Sequence, residues 1–113
     1  MSGSAARAHV HFALSMEHAV RVSNREVMVA EMEPLTEEQL LLVSVQVAKA
    51  RAAYMIAAVK VGLTDGSEPS ASELRILRET FEEKRDAFAA LMTAIERGYV
   101  DGPGDNDDWE NDT

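Results

Sequence analysis

The three histidines are the first residues whose spacing suggests chemistry, in this case metal binding. His9 and His11 flank Val10, and His18 follows seven positions after His11, next to Glu17. A helix would place His11 and His18 on one face, whereas a strand would place His9 and His11 on one face. Carboxylate-bridged di-iron bundles use Glu-x-x-His pairs, and no Glu stands three positions before any of these histidines. We expect ordinary imidazoles and no metal or other cofactor, with a metal-handling helical protein as the alternative.

Nucleophilic catalysis lacks the residues that it needs. The chain has no Cys, no Gly-x-Ser-x-Gly elbow and no glycine loop for phosphate. The charged run 82–86 is typical of a solvated helix face rather than of paired catalytic carboxylates. We therefore expect no enzyme and no small-molecule substrate. The lack of Cys also excludes disulfides and favours a reducing, cytoplasmic location.

Composition and charge narrow the range of folds and functions that the chain can have. The 113 residues suffice for one domain, and with 46% apolar but only 5% aromatic residues the core must come from Ala, Val, Leu, Ile and Met. The net charge of −9 is concentrated in residues 99–113, which hold six acids and no Lys or Arg. The formal charge of residues 1–98 is therefore about −3, which excludes a protein that mimics DNA. The linear sequence also shows no basic stripe or zinc-finger spacing, so we expect no direct nucleic-acid binding.

Two capping boxes predict two long helices. Thr36 and Gln39 form the first box, and the helix runs over 36–61 before Gly62. A Ser70-x-x-Glu73 box opens the second, which continues without Gly or Pro up to Gly98. The connection between the two helices is short and turn-rich, so they should form an antiparallel αα-hairpin.

The helix that follows Ser70 carries a regular seam with alternating spacings of three and four. Its members are Leu74, Leu77, Phe81, Lys84, Phe88, Leu91 and Ile95. Such a seam is typical of a coiled-coil-like contact, in which Lys84 would fix register or partner number. We favour the alternative that Lys84 lies at the edge, with its stem over Phe81 and Phe88 and its ammonium in water.

The helix 36–61 is apolar on nearly every side. One narrow track is made of small residues, Ala50, Ala53 and Ala57, and a second face consists of Leu41, Val45, Ala48, Met55 and Val59. One neighbouring helix cannot cover both faces, so the N-terminal segment or another subunit must cover the rest. The stretch is long enough to cross a membrane, but Gln46, Lys49 and Arg51 near its middle favour a buried helix and no membrane contact.

The segment 5–32 allows two interpretations. Val10, Ala13, Val20, Val27 and Ala30 approximate a helical stripe. The competing pattern is strict alternation from Val10 to Met16, with a β-hairpin turning at 23–26. We favour a helix, because Ala, Met, Glu and Arg are abundant and the turn would lack Gly.

The last segment, 99–113, is predicted to be an acidic, flexible tail. Its one large apolar group beyond Val100 is Trp109, the single Trp of the chain, which stands among Asp107, Asp108 and Glu110. An aromatic anchor among carboxylates suits docking to a basic patch on a partner. The alternative is a tail that only keeps the protein soluble.

These patterns predict an all-α domain over 1–98, as a three-helix bundle or as a long hairpin with an N-terminal helix. We expect a homo-oligomer or a helical protein partner, with an assembly, adaptor or chaperone-like role. The general layout resembles the helical chaperones of bacterial secretion systems and the small subunits of phage packaging machines, although no motif is specific to either. A further alternative is an inhibitor or antitoxin that acts through the acidic tail.

Overall fold

The computed structural model describes residues 2–104, and within that range every regular element is an α-helix. Helix α1 covers Ser2–Glu31, α2 covers Glu37–Ala58 and α3 covers Ala71–Glu96. The predicted all-α fold is confirmed. Of the two interpretations of the N-terminal segment, the helix is the one observed.

Both capping boxes form as predicted. The Thr36 hydroxyl accepts the Gln39 amide at 3.1 Å, and the Gln39 side chain accepts the Thr36 amide at 2.9 Å. The Ser70 hydroxyl accepts the Glu73 amide at 3.1 Å, and a Glu73 carboxylate oxygen accepts the Ser70 amide at 3.2 Å. Each box satisfies amides that have no partner inside the helix, and this determines where α2 and α3 begin.

The α2 helix ends three residues earlier than predicted. After Ala58, the amides of Lys60 and Val61 bond to carbonyls three positions back, at 3.1 and 3.2 Å. This tighter turn leads to Gly62, which has a φ of 87°. The predicted stop at Gly62 is therefore present, but the last turn before it is not α-helical.

The chain divides into two compact units. Residues 36–93 form the first, which we call the hairpin unit, and the residues up to 35 together with those from 94 onward form the second, the α1 unit. The described residues are considered below one unit at a time.

In the hairpin unit, α2 packs against α3 along the predicted seam. Val47, Ala50 and Ala57 of α2 are buried. The seam residues within this unit are all half-buried, Lys84 among them. The best-defined contact joins Tyr54 and Phe81, whose rings stack with centroids 6.4 Å apart. Ala53 of the predicted small-residue track is exposed.

In the α1 unit, the end of α1 is fastened to the segment that follows α3. The Leu35 amide donates to the Asp101 carbonyl at 2.8 Å. Arg25 pairs with the Asp101 carboxylate at 3.1 Å and donates to the Gly98 carbonyl at 3.0 Å. Val100 is only 2% exposed.

The first residues of the predicted tail, from 99 onward, take part in this packing. Tyr99 is half-buried and Gly102 is buried, so the chain remains packed for several residues beyond Gly98. A Cβ on Gly102 would come within 2.8 Å of Ile95 Cγ2, which shows how closely the backbone approaches α3 there. The sequence pattern missed this because only two apolar residues, Tyr99 and Val100, mark the packed part.

Candidate interaction surfaces

Helix α1 exposes apolar side chains along its whole length. Every residue from 3 to 23 is exposed. Eight large apolar side chains are 42–63% exposed, namely Val10, Phe12, Leu14, Met16, Val20, Val22, Val27 and Val29. A helix of 30 residues is about 45 Å long. Isolated helices have marginal stability in water, and helices in proteins gain most of their stability from packing. The exposed apolar side chains of α1 therefore indicate a helix that packs against a partner.

One side of α1 is apolar. Phe12, Met16, Val20 and Val27 follow one another at spacings of four, four and seven, which places them on a single helix face. They are 63%, 47%, 48% and 61% exposed. We call these four residues the apolar stripe. Its length of 15 residues corresponds to about 22 Å of helix.

The opposite side of α1 is basic. Its members are Arg7, His11, His18, Arg21 and Arg25, with Leu14 between the two histidines, and the spacings are four, three, four, three and four. We call the five basic residues the basic stripe. Residues two positions apart, such as Phe12 and Leu14, point about 200° apart on a helix, so the two stripes face in opposite directions.

The linear sequence did not reveal this basic stripe, because its charges are spread over 19 residues. The spacing of four, three, four, three and four places these residues on one face only if the segment is a helix, so the stripe could be recognised only after the helix was established. Two of the arginines form ion pairs with carboxylates among the described residues. Arg21 pairs with Glu17 at 3.1 Å and Arg25 pairs with Asp101 at 3.1 Å.

The second face of α2 is the other exposed apolar surface. Leu41, Val45, Met55 and Val59 are 61%, 39%, 57% and 76% exposed, and Ala48 between them is also exposed. We call these five residues the outer face of α2. Within the hairpin unit, α3 does not cover them.

The remaining predicted contact residues are divided between the seam and the tail. Lys84 lies half-buried in the seam of α3, beside the ring contacts of Phe81. Arg51 and Arg85 place their guanidinium carbons 5.2 and 5.5 Å from the centre of that ring. Trp109, Asp107, Asp108 and Glu110 lie outside the described residues.

Among residues 2–104, two side chains have a shifted pKa, and both shifts have local causes. The hydroxyl and amide of Ser67 lower the pKa of Asp65 by donating hydrogen bonds to its carboxylate. A hydrogen bond with Tyr99 raises the pKa of Arg97, and nearby negative charges add to it. Both groups are fully exposed at the surface, so neither shift marks a catalytic site.

The described residues bring no metal-ligating set together. No group of three His, Cys, Asp or Glu side chains within 2–104 is placed to hold an ion. His9, His11 and His18 are all exposed on α1.

By length and composition, α2 is the one helix in the described part of the chain that could cross a membrane. Lys49 and Arg51 stand in its middle and would be costly in hydrocarbon.

Comparison with protein-family models, with curated proteins and with solved structures finds no match to this chain.

Proposed function

We propose that this protein is a non-enzymatic, cytoplasmic assembly module that associates with further copies of itself through exposed helical surfaces. The observation that supports this proposal best is α1, a 30-residue helix with eight large apolar side chains exposed. Contiguous apolar surface of this kind marks interaction sites in soluble proteins. A catalytic role has no comparable support among the described residues.

A second copy is the occupant that suits the apolar stripe. Two α1 helices have the same length and the same stripe, and symmetric pairing of one surface with itself is the commonest way in which soluble proteins associate. A different protein that covered the stripe would have to provide an apolar face of the same length. The stripe carries no charged residue at its four positions, so copies can approach without opposing charges there.

The free energy from these surfaces predicts a concentration-dependent association. The apolar stripe and the four large residues of the outer face of α2 are each about half exposed. Full burial of such a side chain contributes about 1.5–3 kcal/mol, so covering all eight would contribute on the order of 7–14 kcal/mol. Association costs about 4–15 kcal/mol in lost freedom of motion. The first figure counts one copy only. In a symmetric dimer both copies contribute, so pairing of the two apolar stripes alone would supply about 7–13 kcal/mol, and covering the outer face of α2 would add to it.

Sedimentation across a range of concentrations tests the proposal. We expect the wild-type protein to shift from monomer towards dimer or larger species as concentration rises. Val20→Glu places a carboxylate in the middle of the apolar stripe of every copy, and a penalty of about 3 kcal/mol would weaken association roughly 100-fold.

Val22→Glu is the matched control. Val22 is 42% exposed, against 48% for Val20, but it points about 200° away from it. This variant should assemble as the wild type does. A wild-type protein that stays monomeric at high concentration would contradict the proposal, as would equal effects of the two variants.

A further inference from the structure

The basic stripe of α1 is already occupied at one end by the start of the C-terminal segment. Arg25 Nη2 lies 3.1 Å from Asp101 Oδ1, and Arg25 Nη1 donates to the Gly98 carbonyl at 3.0 Å. The Asp101 carbonyl also accepts the Leu35 amide. The acidic segment therefore starts from a fixed point on the same face that carries the other basic residues.

The length of the segment matches the length of the stripe. Arg7 stands 18 residues before Arg25, which is about 27 Å along a helix. The 11 residues from Asp101 to Asp112 can extend over about 36 Å. The segment can thus run back along α1 from Arg25 to Arg7 without further chain.

The charges of the two elements are complementary. Residues 105–113 hold five acids and no base, whereas the basic stripe contains no acid. A guanidinium has five N–H donors. The Arg7 Nε bonds to the Gly3 carbonyl and one Arg21 nitrogen to the exposed Glu17, so both side chains keep donors for additional carboxylates.

An apolar site lies at the distance where the single Trp would arrive. Val10 and Leu14 are 56% and 59% exposed, and with Ala6, Arg7 and His11 they form an open patch on the surface of α1. Leu14 is about 17 Å along the helix from Arg25. The eight residues from Asp101 to Trp109 reach up to about 26 Å, which is long enough for the indole to reach this patch.

We propose that the acidic segment 105–113 docks on the basic stripe of its own chain and seats Trp109 on Val10 and Leu14. This inference uses the face of α1 opposite to the apolar stripe, so it does not depend on self-association. The segment covers one side of α1 and leaves the other side open for a second copy.

Fluorescence of Trp109 in the full chain tests the proposal, because the protein has no other Trp. The reference is a synthetic peptide of residues 101–113. We expect the full chain to show an emission maximum at shorter wavelength than the peptide and weaker quenching by acrylamide. Both differences should shrink in about 1 M NaCl, where the screening length falls to about 3 Å.

Variants on both sides of the contact make the test specific. Arg7→Glu with Arg21→Glu, and separately Leu14→Ser, should move emission and quenching to the values of the peptide. Asp107→Lys with Asp108→Lys should do the same, and this pair changes no residue of α1. Val20→Glu on the opposite face is the control that should leave the Trp109 signal unchanged.

Three results would overturn the inference. Emission equal to that of the peptide would show that Trp109 is not docked. A signal indifferent to the charge variants would show that the basic stripe is not the site. A protected signal that disappears on dilution would show that the segment binds another copy or another protein. A monomeric protein with a protected Trp109 would support this inference while contradicting self-association.

Discussion

Replacing Phe81 by Ala should destabilise the hairpin unit by about 3 kcal/mol. Phe→Ala costs about 3–5 kcal/mol at a fully buried site, and Phe81 is half-buried, so the packing loss is about 2 kcal/mol. The stack on Tyr54 adds about 0.5–1.5 kcal/mol, and each guanidinium contact, from Arg51 and Arg85, adds about 0.5 kcal/mol. The better helix propensity of Ala offsets about 0.5 kcal/mol of this.

Denaturant unfolding followed by far-ultraviolet circular dichroism measures this loss. The control is Ile76→Ala, because Ile76 lies on the same helix but is 60% exposed, so the change should be within about 0.5 kcal/mol of neutral. Tyr54→Ala and the double variant complete a cycle whose coupling energy should be about 0.5–1.5 kcal/mol. A loss below about 1 kcal/mol for Phe81→Ala, or an equal loss for Ile76→Ala, would refute the assignment of the packed face.

Two further predictions concern the packing of Gly102 against Ile95 and the N-terminal cap of α2. Gly102→Ala should cost about 1–3 kcal/mol, because the added Cβ would lie 2.8 Å from Ile95 Cγ2, and the cost should largely vanish in an Ile95→Ala background. An additive double variant in the same unfolding assay would argue against this close approach. Thr36→Ala should cost about 1 kcal/mol by removing the hydroxyl that accepts the Gln39 amide, whereas Thr36→Ser should be nearly neutral. Equal stability of the two Thr36 variants would show that the cap contributes nothing.

The exposure of these surfaces explains why the proposed contacts lie on α1 and α2 rather than on the seam of α3. Most large side chains of α3 that belong to the seam are half-buried, whereas the apolar stripe and the outer face of α2 are open. Lys84 therefore belongs to a face already engaged by α2. Its proposed part in partner binding has less support than that of Leu41 or Val59.

Local sequence was sufficient for the starts of α2 and α3 and for the seam. Thr36 and Ser70 act on amides within three residues, and Gly62 and Gly98 adopt positive φ values that other residues rarely accept. Helical periodicity is likewise a property of neighbouring residues, so the inward face of α3 follows from it.

Tertiary structure alone decided which α2 face is packed and that the residues just after α3 are packed. The α2 sequence is apolar all round, so its pattern cannot choose a side, and only contact with α3 separates Val47 from Val45. The contact between Arg25 and Asp101 joins residues 76 positions apart. Interactions between distant residues leave no periodic signal, because each partner looks locally like any surface charge or short apolar residue.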